Sequence, residues 1–211
     1  MPDAAGLRRP GDAAAAGYSI VLPPQWARIP LRDGTDEAIT SVLDNAFARL
    51  PRDLPRDRVT PYRRELGRRL GQLAVQARRN GGLCLYLPVE PMHGAPIAAS
   101  FVISAGSVGS GDVDPGLIAS QLAAGQEGAA ATTVAGAAAV RIERTAPPDP
   151  EREIEFGSRR VDYIIPVPGQ PGQWLIAAFS TLGSGDPDGE HARLLTGLFD
   201  AIMSTFSWDG A

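Results

Sequence analysis

Apolar positions repeat along this chain with two periods, one helical and one extended. Ile39, Val42, Leu43, Ala46, Phe47 and Leu50 fall at i, i+3, i+4, i+7, i+8 and i+11, one stripe of a helix beginning near Thr35. Thr35 is placed to cap it, Asp36 and Glu37 suit its positive end, and Pro51 stops it. A second helix is predicted over 61–79. Tyr62, Leu66, Leu70, Leu73 and Ala77 form its apolar line, Arg64, Arg68 and Arg79 point away, and Arg63 and Arg69 flank the apolar edge. Asn80-Gly81-Gly82 ends it through easily reached positive φ. A last helix follows Asp188, with Leu194, Leu195, Leu198, Phe199, Ile202 and Phe206 on one wide face and Trp208 just beyond.

Between these helices the pattern is extended. Strands are predicted over 18–22 (stopped by Pro23-Pro24, with Trp26 as an anchor after it), 83–89, 97–104, 132–134, 138–144, 160–167 and 174–181. Asp114-Pro115 is a cap followed by proline at the first helical position, which places a short helix over 115–124. The order is β-α-α-β-β-α-β-β-β-β-α. Most strands are joined by loops too short for parallel crossovers, so the expected fold class is α+β: an antiparallel sheet flanked by helices, an α/β/α sandwich. Residues 1–17, rich in Ala, Gly, Pro and Asp without periodicity, read as a flexible N-terminal tail, and 18–208 as a single α+β domain.

Composition narrows the class. The chain has 211 residues, 44% hydrophobic and 21% charged, in the ordinary globular range. One Cys excludes a disulfide framework, a Cys-rich zinc site and a CxxC redox centre. There is no transmembrane span and no secretory h-region, so a cytoplasmic location is expected. All 20 basic residues are Arg, and the net charge of −4 conceals an asymmetry: residues 49–79 balance at +7 and the remainder at −11. The Arg-rich helix is a solvated or self-paired face, or a surface for an acidic partner. Nucleic acid is not an expected partner, because the helix lacks interleaved aromatics except Tyr62 and the body is acidic.

Each candidate for chemistry has a plainer reading. Gly106-Ser-Val-Gly-Ser-Gly111 sits between a strand and a helix, but its spacing is not the dinucleotide fingerprint, no Lys completes a phosphate loop, and Asp112 and Asp114 would repel phosphate. Asp186, Asp188, Glu190 and His191 cluster without a calcium-loop ladder, and Asp188 reads as a helix cap. His93 and His191 lack a neighbouring nucleophile signature, and no G-x-S-x-G occurs. Cys84, between Leu83 and Leu85, reads as an inert buried thiol, and Trp26, Trp174 and Trp208 as core anchors. No catalytic residue, cofactor or metal ligand is assigned.

The Pro-Pro-Gln-Trp run at 23–26, the turn Gly136-Ala-Ala-Ala-Val-Arg141, and the hairpin 160–181 with a closing helix ending Phe206-Ser-Trp208 resemble the PsbP-like α/β/α sandwich superfamily. That group includes LpqN-type lipoproteins and chaperones of secreted bacterial effectors. The chain departs from it in lacking a lipobox Cys and in its long two-helix segment 35–80. The resemblance implies binding or assembly without shared catalytic residues. The leading expectation is therefore a non-catalytic cytoplasmic protein-binding domain, an adaptor or chaperone for a secretion system or another protein assembly. Arg63, Arg64, Arg68 and Arg69 are its candidate partner-binding residues, and an acidic protein or secreted substrate its partner. One alternative is a small-ligand domain or enzyme with a site between sheet and helices, near His93 or the Trp174 end. Another is a peripheral binder of anionic surfaces through the Arg-rich helix.

Overall fold

Strands with alternating apolar and polar positions bury one face only if a second layer, helix or sheet, lies across it. In the computed structural model, which describes residues 17–49, 56–92, 94, 97–107, 113–148 and 156–209, that is what the C-terminal helix does. The elements run β1 (Tyr18–Ser19), β2 (Trp26–Pro30), α1 (Thr35–Ala48), α2 (Arg56–Arg79), β3 (Gly82–Pro88), β4 (Ala99–Ser107), α3 (Pro115–Gly125), β5 (Ala129–Val134), β6 (Ala137–Ala146), β7 (Ser158–Pro166), β8 (Gln173–Thr181), α4 (Glu190–Ser204) and β9 (Ser207–Trp208). Seven strands pair antiparallel in the order β2-β3-β4-β8-β7-β6-β5, and β1 pairs with β9 in a separate two-stranded sheet. The fold is α+β, an antiparallel sheet between helical layers.

The register assigns every side chain to a face. Tyr86, Phe101, Phe179 and Val161 lie in one row across β3, β4, β8 and β7. They are 0–2% exposed beneath Leu195, Phe199, Ile202 and Met203 of α4. Phe199 lies at the centre, with ring centroids 4.8 Å from Phe179, 5.3 Å from Phe101 and 5.7 Å from Tyr163. On the opposite face α1 and α2 close over Ile29, Leu31 and Leu85, and α3 closes over Val140, Ile142 and Trp174.

Several details differ from expectation. The first strand of the main sheet is Trp26–Pro30, not 18–22. Trp26 N–H donates to the Pro23 carbonyl at 3.0 Å, so Pro23-Pro24 make a turn into the strand rather than a stop after one. Of 18–22 only Tyr18–Ser19 pair, and with the C-terminus. The observed order is thus β-β-α-α-β-β-α-β-β-β-β-α-β. The N-cap of α1 is Gly34 at φ 76°, and Thr35 turns its hydroxyl to the Pro30 carbonyl at 2.8 Å. Helix α2 starts five residues ahead of Pro61, so the proline lies inside the helix, past its first turn, and not at its start. Ala74 is its most buried position, at 3%, while Tyr62 and Leu73 are 63% and 54% exposed. Asp114 caps α3 as expected, accepting the Gly116 amide at 2.6 Å. Residues 1–16, His93 and 108–112, which hold most of the glycine-rich stretch, lie outside the described residues.

Candidate functional site

The four candidate arginines on α2 are largely engaged within the fold. Arg63 pairs with Asp44 of α1 at 2.5 Å. Glu65 takes both Arg68 and Arg69, each at 2.7 Å. These hydrogen bonds hold the Glu65 carboxyl well below its ordinary range, at about 2. Among the described residues, Arg64 alone of the four has no ion-pair partner. The sequence brings these side chains onto one helix, but the helix and its neighbour supply two carboxylates that neutralise much of the stripe.

A different surface stands open. Helices α1 and α2 pack over β2 and β3, and α3 over β5 and β6. On that face the two helical clusters reach only part of the middle strands β4, β8 and β7: Val102 of β4 packs against the α1/α2 cluster, and Ile164 of β7 and Trp174 of β8 against the α3 cluster. Pleat and register place Ser100, Val102, Ser104, Ile176, Ala178 and Ser180 there, all part-buried, whereas Phe101, Ile103, Leu175, Ala177 and Phe179 on the opposite side are buried. Ser100, Ser104, Ala178 and Ser180 are small, so a polypeptide can approach the sheet closely beside Val102 and Ile176. Beside it on β7 lie Arg160 and Asp162. Asp162 accepts from Arg144 at 2.5 Å, yet burial outweighs the two neighbouring guanidiniums and raises its pKa. Arg160 donates to the Ser158 hydroxyl at 3.3 Å and has no carboxylate partner among the described residues.

The second concavity is at the Trp174 end, on the α4 side. A cavity of about 320 Å³ is lined by Tyr18, Arg28, Cys84, Leu175 and Trp208, with Arg32 and Asp209 also on its wall. Arg28 Nε donates to Cys84 Sγ at 3.3 Å and has no carboxylate partner among the described residues. That bond, against the cost of burial, raises the guanidinium pKa. The Tyr18 and Tyr86 hydroxyls meet at 3.1 Å. Burial raises both phenols, Tyr86 to about 12 despite its bond to Tyr18, so both are neutral at physiological pH. Cys84 is 4% exposed, as expected of a structural thiol, but its guanidinium neighbour was not legible in the sequence. Register explains it: Arg28 stands opposite Tyr86, and Pro30 opposite Cys84.

The remaining candidates resolve simply. Trp26, Trp174 and Trp208 are 7%, 1% and 7% exposed, all within the core. Asp188 does not cap α4; the N-cap is Gly189, without a side-chain bond. Asp188 instead accepts the Thr145 hydroxyl at 3.1 Å, and Asp186 accepts the Asp188 amide at 2.9 Å. Among the described residues no group of three or more His, Cys, Asp and Glu is placed to hold a metal ion, and no helix is long and apolar enough to cross a membrane. The chain matches no protein-family model and no curated protein sequence.

Proposed function

We propose that this protein is a non-catalytic protein-binding domain that receives an acidic polypeptide on the incompletely covered middle of its sheet, between α2 and α3. The observation that carries this reading is the incomplete helical layer: between the α1/α2 and α3 clusters the central strands carry Ser100, Ser104, Ala178 and Ser180, small side chains left part-buried. Arg160, beside that floor without a carboxylate partner among the described residues, supplies the cation for an acidic segment. The resemblance in residues 23–26, 136–141 and 160–208 supports the same class, and an adaptor or chaperone role in a secretion system or other assembly is its natural setting. Of the four candidate arginines on α2, Arg63, Arg68 and Arg69 are paired within the fold and Arg64 has no ion-pair partner among the described residues, and this reading takes the floor as the contact in their place.

Affinity capture from the native host tests the reading, comparing wild type with Ala178→Arg and with the reversal of Arg63, Arg64, Arg68 and Arg69 to Glu. A stoichiometric partner lost from Ala178→Arg, shown folded by circular dichroism, and kept by the four-fold reversal is the expected result. A partner kept by Ala178→Arg, or lost only on the four-fold reversal, sinks it.

A second reading has its own observation. In the 320 Å³ cavity, Arg28 has no carboxylate partner among the described residues and faces aromatic and aliphatic walls, a combination suited to a small carboxylate with an apolar body. Benzoate should raise the thermal midpoint of wild type and slow maleimide labelling of Cys84, and both effects should vanish in Arg28→Gln. An unchanged midpoint and labelling rate would remove the reading.

A further inference from the structure

The sheet has two edges, and they are protected very differently. Edge strand β2 is short, carries Arg28 and closes on Pro30, all features that discourage pairing with another chain. Edge strand β5 reads Ala-Ala-Ala-Thr-Thr-Val, with no charge and no proline, and its register against β6 runs without a break from Ala129↔Ile142 to Val134↔Ala137. Ala130, Ala131 and Thr133 are exposed. This is the flat, uncharged strand that folded proteins ordinarily cover.

The backbone of β5 fixes which groups look outward. Glu143 N–H donates to the Gly128 carbonyl at 2.9 Å, across the register position that precedes Ala129↔Ile142. Hydrogen-bonded and non-bonded pairs alternate in an antiparallel ladder, so Ala130, Thr132 and Val134 also bond to β6. Ala131 and Thr133 therefore direct their N–H and C=O groups away from the sheet. Sequence around the strand agrees. From Pro115 to Val140 the only ionisable residue is Glu127, where the chain's 21% charged composition would place about five. That stretch includes α3, which lies over β5 and whose outward residues Leu117, Ser120, Gln121 and Ala124 carry no charge.

We propose that β5 is a dimerisation edge, pairing antiparallel with β5 of a second copy about a two-fold axis through Thr132. The strand is self-complementary in this register. Ala131 stands opposite Thr133 of the second copy, Thr133 opposite its Ala131, and each pair exchanges both N–H···O=C bonds. Small side chains on both faces leave the partner strand unobstructed, and the axis brings the two α3 helices onto the same side of the joined sheet. The surface is separate from the β4-β8-β7 floor, so the two proposals stand or fall independently.

Sedimentation equilibrium of the full chain over a concentration series tests it. Wild type should associate to twice its 22.2 kDa mass. Thr133→Pro removes an outward N–H without touching the β6 ladder, and Ala131→Lys puts like charges near the axis. Each should weaken dimerisation at least tenfold while leaving the far-ultraviolet spectrum unchanged. In a Cys84→Ser background, Thr132→Cys should oxidise readily to a linked dimer, because the residue on the axis faces its own copy in a non-bonded pair, where α-carbons are closest. A wild-type monomer at the highest soluble concentration overturns the proposal, and so does a dimer that both edge variants leave intact.

Discussion

Arg141 of β6 grips Asp200 of α4 with two parallel hydrogen bonds, 2.9 Å from Nε and 3.0 Å from Nη2. Tyr163 adds a third, its hydroxyl donating to Asp200 at 2.8 Å, while Arg141 also reaches Glu143 at 2.7 Å. Burial works against the Arg141 charge, but the bonds to Asp200 and Glu143 outweigh it and raise its pKa. Burial and the bond to Asp200 together raise Tyr163. The pair is the polar latch between α4 and the sheet, beside the apolar contacts of Phe199.

Replacing Asp200 with Ala leaves Arg141 and Tyr163 without their acceptor in a part-buried setting. The expected cost is about 1–3 kcal/mol, below that of a fully buried pair because Asp200 is partly solvated. Urea unfolding measures it. In Arg141→Met with Asp200→Ala, part of the loss should return, since no charge is then stranded. A double variant no better than the sum of the single ones would show that the two residues act independently.

Stability against pH should have two opposing contributions on β6 and β7. Burial favours neutral Glu143, but bonds from Arg141 and Arg159 prevail and lower its pKa. Its contribution is present above the ordinary carboxylate range and is lost as pH falls through the lowered value. Asp162 is raised by burial, so the folded state favours its neutral form, and its contribution is lost as pH rises through the raised value. Asp162→Asn should therefore melt higher than wild type at neutral pH and match it in acid. Glu143→Gln should melt lower at neutral pH, with the gap closing in acid. Thermal midpoints of the three proteins across the acid range check both signs.

The self-neutralised face of α2 can be reopened. Glu65 holds Arg68 and Arg69 together on an exposed helix, a geometry that contributes little to stability. Glu65→Gln should leave the melting midpoint nearly unchanged and release both guanidiniums to solvent. Elution from immobilised heparin should then need more salt than wild type does. Unchanged elution would mean that Glu65 is not what masks the stripe.

Helices α1, α2 and α4 were legible in the sequence because their apolar residues repeat over three or more turns, which a misplaced cap cannot disguise, and α3 was legible from its Asp114-Pro115 start. Strand β2 was missed because Trp26–Pro30 is short and contains Arg28, whose side chain stands over Cys84 instead of in solvent. Strand β5 was legible only over 132–134, since Ala129–Ala131 carry no periodic signal and are held by pairing with β6. The partner of each arginine was equally hidden. Glu65 is a helical neighbour visible at i+3 and i+4, but Asp44 and Asp200 are 19 and 59 residues from their arginines. The incompletely covered floor depends on strand order, which no local pattern encodes.

The hairpin that presents β5 contains a strained residue open to improvement. Ala135 adopts φ 48° and Gly136 φ 77° between Val134 and Ala137, the two-residue turn whose twist suits a hairpin. Glycine meets this requirement freely. Alanine at positive φ costs about 1 kcal/mol, because its Cβ crowds the backbone. Asparagine tolerates the left-handed region better and is favoured before glycine in this turn. Ala135→Asn should thus stabilise the protein by about 0.5–1 kcal/mol, read as a higher urea midpoint at unchanged slope. Ala135→Val should lower the midpoint, its branched side chain being least suited to positive φ. A midpoint that rises for Val as it does for Asn would show that the gain comes from elsewhere than the turn.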